Sequence, residues 1–218
     1  MKKLKRFVKT FFAYNCIACG KAVDDSSEVL CTTCQRSMFN CLPYKKRGIH
    51  TVIPYNYRAA KALILYMKDY YDDDAFRYSA SLILHKLRSE GITNLDDYYI
   101  TFAPRNPITR FKKEFDQSEE IAKRLSEELF GTPDRCMTTL TRSWFSPQQK
   151  TLRADERRYY IEKTLRLKKK VFLPQKLIVI DDVTTTGETL YAIRELFTQL
   201  GVDECILCSL AYNKMDLY

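Results

Sequence analysis

The chain has 218 residues, enough for one α/β domain with a proper core plus a small appendage and too few for two full-sized domains. Hydrophobic residues make up 45% and charged residues 29%, with 15 tyrosines and 12 phenylalanines, which excludes a disordered chain. The net charge of +9 favours anionic partners, whether phosphorylated metabolites, nucleic acid or an acidic membrane surface, without choosing among them.

At the start, MKKLKRFVKTFF interrupts its apolar residues with lysines, unlike a signal sequence. Leu4, Phe7, Val8, Phe11 and Phe12 fall on one helical face, with Lys2, Lys3, Lys5, Arg6 and Lys9 around the other, which predicts a short helix docked on its own domain, with a membrane or nucleic-acid contact as the alternative. No apolar run approaches the roughly 18 to 20 residues of a membrane span, so a soluble, cytoplasmic protein is expected.

Cys16 and Cys19, then Cys31 and Cys34, form two C-x2-C pairs separated by eleven residues. Each pair presents two thiolates on a tight turn, and the intervening loop can fold back to complete a tetrahedral sulfur shell for zinc. Four thiolates leave no vacancy for water, so such a zinc is structural and not catalytic. Cys41 and His50 are alternative ligands. Cys205 and Cys208 lie three apart in a β-type run, where they point to opposite faces, and are expected to be core thiols.

A boundary near Pro43 divides the chain into a basic leader with the cysteine module, residues 1–45, and a main domain, residues 46–218. TVIPYNY reads as a strand, and residues 59–69 and 75–87 carry apolar residues at helical spacing. Asp72, Asp73 and Asp74 between them read as a solvated turn and helix start. YYITFAP is a short buried strand ended by proline, followed by a basic loop, PRNPITRFKKEF, and a helix over 117–130 that stops at Gly131 and Pro133. MTTLTRS is another candidate strand and 152–160 a charged helix. KLIVID has the unbroken apolar run of a strand buried on both faces of a parallel sheet. A helix over 188–200 and a strand around 205–210 complete a βαβ unit. His50 and His85 read as structural or exposed, and Lys168, Lys169 and Lys170 as a solvated turn.

The stretch LIVIDDVTTTGETL raises a question of charge, because four apolar residues run into two adjacent carboxylates, Asp181 and Asp182. In open parallel sheets, ligands sit beyond the carboxyl ends of the strands. The loop from Thr184 to Thr189 then wraps the start of the next helix, where unpaired amides and the helix dipole favour a phosphate monoester. Small side chains let the backbone come close, and Gly187 allows a φ that a Cβ would forbid. The two carboxylates are placed to accept hydrogen bonds from neighbouring sugar hydroxyls. No Walker lysine follows a G-x4-G, which disfavours a nucleotide P-loop.

LIVIDDVTTTGET resembles the phosphoribosyl-pyrophosphate (PRPP) signature of type I phosphoribosyltransferases at every position. With the four-cysteine module, the chain resembles the ComF family from Cys16 to about Tyr212. Lys113-Glu114-Phe115-Asp116-Gln117-Ser118-Glu119 corresponds to the family's R-G-F-N-Q-[SA]-E loop, and Gln149, Leu152 and Arg157 to its Q-x2-L-x4-R segment. Lys113-Glu114 stands where the family has Arg-Gly, Asp116 where it has Asn, and Tyr160 where it has a later Asn.

The resemblance implies an α/β phosphoribosyltransferase fold with a parallel, Rossmann-like sheet and a small N-terminal zinc module. It implies that PRPP binds along Asp181, Asp182, Val183, Thr184, Thr185, Thr186, Gly187, Glu188 and Thr189, with the 5-phosphate on the threonine loop and the ribose on the acids. The pyrophosphate would lie near Ala103, Pro104 and Arg105 with Mg²⁺ bridging its oxygens. Asp181, Asp182, Lys112 and Lys113 are the candidate catalytic residues, the lysines closing over the substrate and, with Arg105 and Arg110, supplying cations for the leaving group. The implied activity is transfer of a phosphoribosyl group to an acceptor with release of pyrophosphate. The family's association with DNA uptake in natural competence implies single-stranded DNA and a competence helicase as partners. Two other readings of the same residues are a non-catalytic PRPP or nucleotide sensor that handles single-stranded DNA, and a zinc-bearing nucleic-acid adaptor.

Overall fold

The computed structural model describes residues 15–23, 28–41, 44–46, 48–105, 114–143 and 164–213. The N-terminal segment 1–14 and the charged helix expected over 152–160 therefore lie outside the described residues, as do Lys112 and Lys113.

Five strands form the main sheet. β1 (Tyr44–Lys46), β2 (Ile49–Pro54), β3 (Tyr99–Phe102), β6 (Lys176–Thr184) and β7 (Glu204–Tyr212) are arranged in the order β1-β2-β7-β6-β3. β1 is antiparallel to β2, and the remaining pairings are parallel. A separate antiparallel ribbon pairs β4 (Leu140–Arg142) with β5 (Leu165–Leu167).

The unbroken apolar run in β6 has the cause expected of it. Ile178 and Ile180 face one apolar cluster while Leu177 and Val179 face another, so the strand is buried on both sides. On the first side lie α2 (Arg58–Asp69), α3 (Asp73–Ser89) and α4 (Gln117–Phe130), together with apolar residues of the cysteine module. On the second side lie α5 (Glu188–Gln199) and the ribbon. The class is thus α/β with a parallel sheet between two covering layers. Cys208 faces the first cluster and Cys205 packs against the second, as positions three apart on a strand require.

Helix α2 buries Ala59, Ala60, Leu63, Ile64 and Met67, one stripe at helical spacing. Helix α4 spans the predicted 117–130 and ends on Gly131 in the left-handed conformation. The acidic triplet between α2 and α3 starts a helix as expected, with Asp74 exposed, but in one part the expectation fails. Asp72 is not solvated but 5% exposed. Its Oδ1 accepts the N–H groups of Asp74 and Ala75 and its Oδ2 the hydroxyl of Tyr66, so it caps α3 from within the protein.

The cysteine module has its own helix, α1 (Thr32–Phe39), and Cys16, Ala18, Val29, Leu30, Cys31 and Met38 are buried in the same cluster as α2, α3 and α4. Among the described residues, no helix is long and apolar enough to cross a membrane.

Candidate functional site

The carboxyl ends of the parallel strands stay joined by backbone hydrogen bonds beyond the regular pairing. Ala103 N donates to Ile180 O at 2.9 Å, Asn213 N to Thr184 O at 2.8 Å and Tyr55 N to Tyr212 O at 2.8 Å. Pairing of Thr184 with Tyr212 carries β6 further than the sequence suggests, so Asp181 and Asp182 lie within the strand rather than after it.

The two acids are managed locally. Asp182 N donates to Asp181 Oδ1 at 3.0 Å, and Val183 N donates to Asp182 Oδ1 at 2.8 Å. Protein packed around the Asp181 carboxyl, and next the negative charge of Asp182, push its pKa well above the usual carboxylate range.

Gly187 caps α5 with φ +86°, the left-handed region. A Cβ there would lie 2.6 Å from Ile49 Cδ1 and 2.8 Å from Tyr191 Cε2, so glycine is required by space as well as by conformation. α5 therefore starts at Glu188, and Glu188 and Thr189 occupy its first turn. Thr184 is buried, Thr185 exposed, and Val183, Thr186, Glu188 and Thr189 half-buried. The loop thus presents a helix N-terminus and a hydroxyl residue at the surface beside the acid pair, an arrangement that suits a phosphate group.

The segment Asp116-Gln117-Ser118 reaches the same place from α4. These three residues are 4%, 2% and 3% exposed. Asp116 Oδ1 accepts from Ser118 N at 3.0 Å, capping the helix, and Ser118 Oγ accepts from Asp182 N at 3.1 Å. Gln117 Nε2 donates to the Ile64 carbonyl of α2 at 3.1 Å, while its Oε1 accepts from Arg105 Nη2 at 2.6 Å. The Arg105 guanidinium lies 3.8 Å from Asp116 Oδ2 and 3.7 Å from Asp182 Oδ2. Burial raises the pKa of Asp116; Arg105 opposes that rise and Asp182 adds to it.

Of the predicted site residues, the structure thus brings together Asp181, Asp182, Ala103, Pro104 and Arg105 with the 183–189 loop. Lys112 and Lys113 lie outside the described residues. Arg105 is not a free cation but is held by Gln117 and faces two acids. Arg142, which motif reading missed, ends β4 close enough for its charge to act on Asp181. A lone arginine after TTLT carries no periodic signal that would single it out.

At the other end of the first cluster, Cys16, Cys19, Cys31 and Cys34 place their Sγ atoms within 4.8 Å of one another, with Cys19 and Cys31 at 3.6 Å. A tetrahedral zinc with Zn–S near 2.3 Å needs sulfurs about 3.8 Å apart, so the four residues fit that ion. Burial raises the Cys16 pKa, but hydrogen bonds from the amides of Cys31, Cys19 and Ala18 outweigh it and lower the thiol, whereas burial and the neighbouring sulfurs push Cys34 up, so the four thiols share their charge unequally. Cys41 Sγ instead donates to the Ser37 carbonyl at 3.4 Å, and His50 Nδ1 meets Glu90, so neither joins the cluster. His85 is exposed and packs edge-on to Phe39.

No family model and no curated protein matches the chain. Among solved structures it is similar to a hypoxanthine-guanine phosphoribosyltransferase from Bacillus anthracis, at a TM-score of 0.38 and 16% identity, covering 67% of this chain and 74% of that one.

Proposed function

We propose that the chain is a PRPP-binding phosphoribosyltransferase of the ComF type, transferring a phosphoribosyl group to an acceptor in the cytoplasm. The observation that carries the reading is the placement of LIVIDDVTTTGET. Its acid pair lies near the carboxyl end of an interior parallel strand, and its glycine takes a left-handed turn directly into a helix N-terminus.

In this reading the amides of Thr185, Thr186, Gly187 and Thr189 hold the 5-phosphate, and Asp181 and Asp182 accept the two ribose hydroxyls. Hydrogen bonds from hydroxyls of a bound sugar favour the ionised form of Asp181, opposing the rise in its pKa. The pyrophosphate lies toward Ala103, Pro104 and Arg105. The bond from C1 to the pyrophosphate oxygen breaks as C1 bonds to the acceptor, which gives up a proton. Arg105, once Asp182 faces the sugar and Gln117 releases it, is one cation available for the leaving group, and Lys112 and Lys113 are assigned to closure over it. The oxygen donors at the site suit Mg²⁺, which would neutralise the pyrophosphate charge when bound with PRPP.

The division into a zinc module, residues 1–45, and a transferase domain, residues 46–218, belongs to the same proposal, with zinc structural. So does a role in DNA uptake during natural competence, with single-stranded DNA and a helicase as partners. The +9 charge is consistent with a nucleic-acid partner. One departure favours a second reading. Asp116, where the resemblance calls for asparagine, adds a buried acid beside Asp182, which suits a pocket that senses PRPP without turning it over.

Calorimetric titration with PRPP and Mg²⁺ tests the reading. Wild type should bind, and Asp182→Ala should bind about 10- to 100-fold more weakly through loss of hydrogen bonds to a charged group. Failure of the wild type to bind either PRPP or ribose 5-phosphate would overturn it. Pyrophosphate release with nucleobase acceptors separates enzyme from sensor.

A further inference from the structure

The β4–β5 ribbon runs beside the free edge of β3. Met137 N donates to Ile100 O at 2.8 Å, Cys136 makes a parallel bridge with Ile100, and the buried hydroxyls of Thr139 and Thr101 lie 2.6 Å apart. Since β4 follows β3 in the same direction, Arg142, three residues beyond Thr139, arrives beside the carboxyl end of β3. That end leads into Ala103, Pro104 and Arg105. The Thr184–Thr189 loop lies on the opposite side of the acid pair, where Gly187 packs toward Ile49 of β2.

Arg142 is poorly satisfied for a residue in such a place. Its Nε donates to Thr164 Oγ1 at 3.5 Å, and its Nη2 is buried with no hydrogen-bond partner among the described residues. An arginine that serves to neutralise a carboxylate ordinarily grips it with two parallel hydrogen bonds. Here burial lowers the guanidinium's pKa, and the Asp181 charge opposes that without a hydrogen bond forming between them. A buried donor left without a partner is unfavourable and calls for a ligand. The planar fork of a guanidinium matches phosphate oxygens.

We propose that Arg142 binds the pyrophosphate end of the ligand, as a cation delivered from the ribbon on the β3 side of the acid pair. The assignment rests on the PRPP reading and adds a residue to it. Arg142 and Arg105 then approach the leaving group from two different elements, and Arg142, unlike Arg105, does not have to let go of another side-chain acceptor of the site first.

The test is calorimetric titration of wild type, R142Q and R142K with PRPP and Mg²⁺, ribose 5-phosphate, and inorganic pyrophosphate with Mg²⁺. R142Q should weaken PRPP and pyrophosphate by about 10- to 100-fold and leave ribose 5-phosphate within about twofold, with R142K in between. Should R142Q fail to fold in a thermal melt, R142K, which keeps the charge and loses the fork, should still show the selective loss. Wild-type affinity for PRPP in R142Q, or an equal loss of all three ligands, overturns the assignment while leaving the PRPP reading standing. A wild type that binds neither PRPP nor ribose 5-phosphate removes both.

Discussion

Asp182 N donates to Ser118 Oγ at 3.1 Å, tying the carboxyl end of β6 to the first turn of α4, 64 residues earlier in the chain. The acid pair is thus positioned by a helix that does not belong to its own βαβ unit. Ser118→Ala leaves the Asp182 amide with the Asp181 carboxylate as its remaining acceptor. The variant should fold, lose about 1 kcal/mol of stability and bind PRPP several-fold more weakly. Urea unfolding and calorimetry check the two effects separately, and unchanged affinity would show that the bond does not position the acid.

Gly187→Ala meets two obstacles at once. A left-handed φ costs about 1–2 kcal/mol for a residue with a Cβ, and the contact with Ile49 and Tyr191 forces repacking that costs about 1–3 kcal/mol more. The variant should lose about 2–5 kcal/mol by denaturant unfolding and bind ribose 5-phosphate far more weakly. A stable variant with intact affinity would separate the turn from the ligand.

Asp116 gives a pH dependence with a definite sign. Its native pKa is raised, so between the ordinary aspartate value, about 3.9, and its native value the folded protein keeps a proton that the unfolded chain has lost. This group therefore favours the folded state most at acid pH, and its contribution is lost as pH rises through the native pKa. Asparagine caps helices as well as aspartate and carries no charge. Asp116→Asn should raise the melting temperature of the ligand-free protein at pH 7 and lose that advantage near pH 4. Equal melting at pH 7 would mean that the Arg105 contact offsets the burial of the charge.

The zinc assignment has a consequence beyond the module. Because Cys16 and Cys31 are buried in the cluster that covers one face of the sheet, loss of the ion should loosen that layer and not only residues 15–41. Elemental analysis should find one zinc per chain. Cys31→Ser, or chelation, should lower the melting temperature by on the order of 10 °C. A metal-free protein that melts normally would refute a structural ion.

The strand–loop–helix at 176–199 was readable because each part obeys a local rule: an apolar run buried on both faces, a glycine where a Cβ cannot fit, and a helix with an apolar stripe. The cysteine cluster was readable from spacing alone. What escaped were relationships set by distant parts of the chain. Asp72 is the exception, because its partners Tyr66, Asp74 and Ala75 are near in sequence, and an acid ahead of a helix reads as solvated until the turn that brings the Tyr66 hydroxyl onto it is seen. Arg105 reads as a free cation because Gln117, which holds it, is positioned by the Ile64 carbonyl of another helix. Arg142 owes its place to a ribbon whose alignment with β3 depends on buried threonines 38 residues apart.

The strand order places β7, the strand nearest the carboxyl terminus among those described, between β2 and β6. Its neighbours are therefore bridged only after β7 has been made, and β2, already paired with β1, must wait for its parallel partner more than 150 residues downstream. Such remote pairing predisposes the chain to slow assembly, with the Thr184–Thr189 loop taking its final shape only once β7 has joined β6.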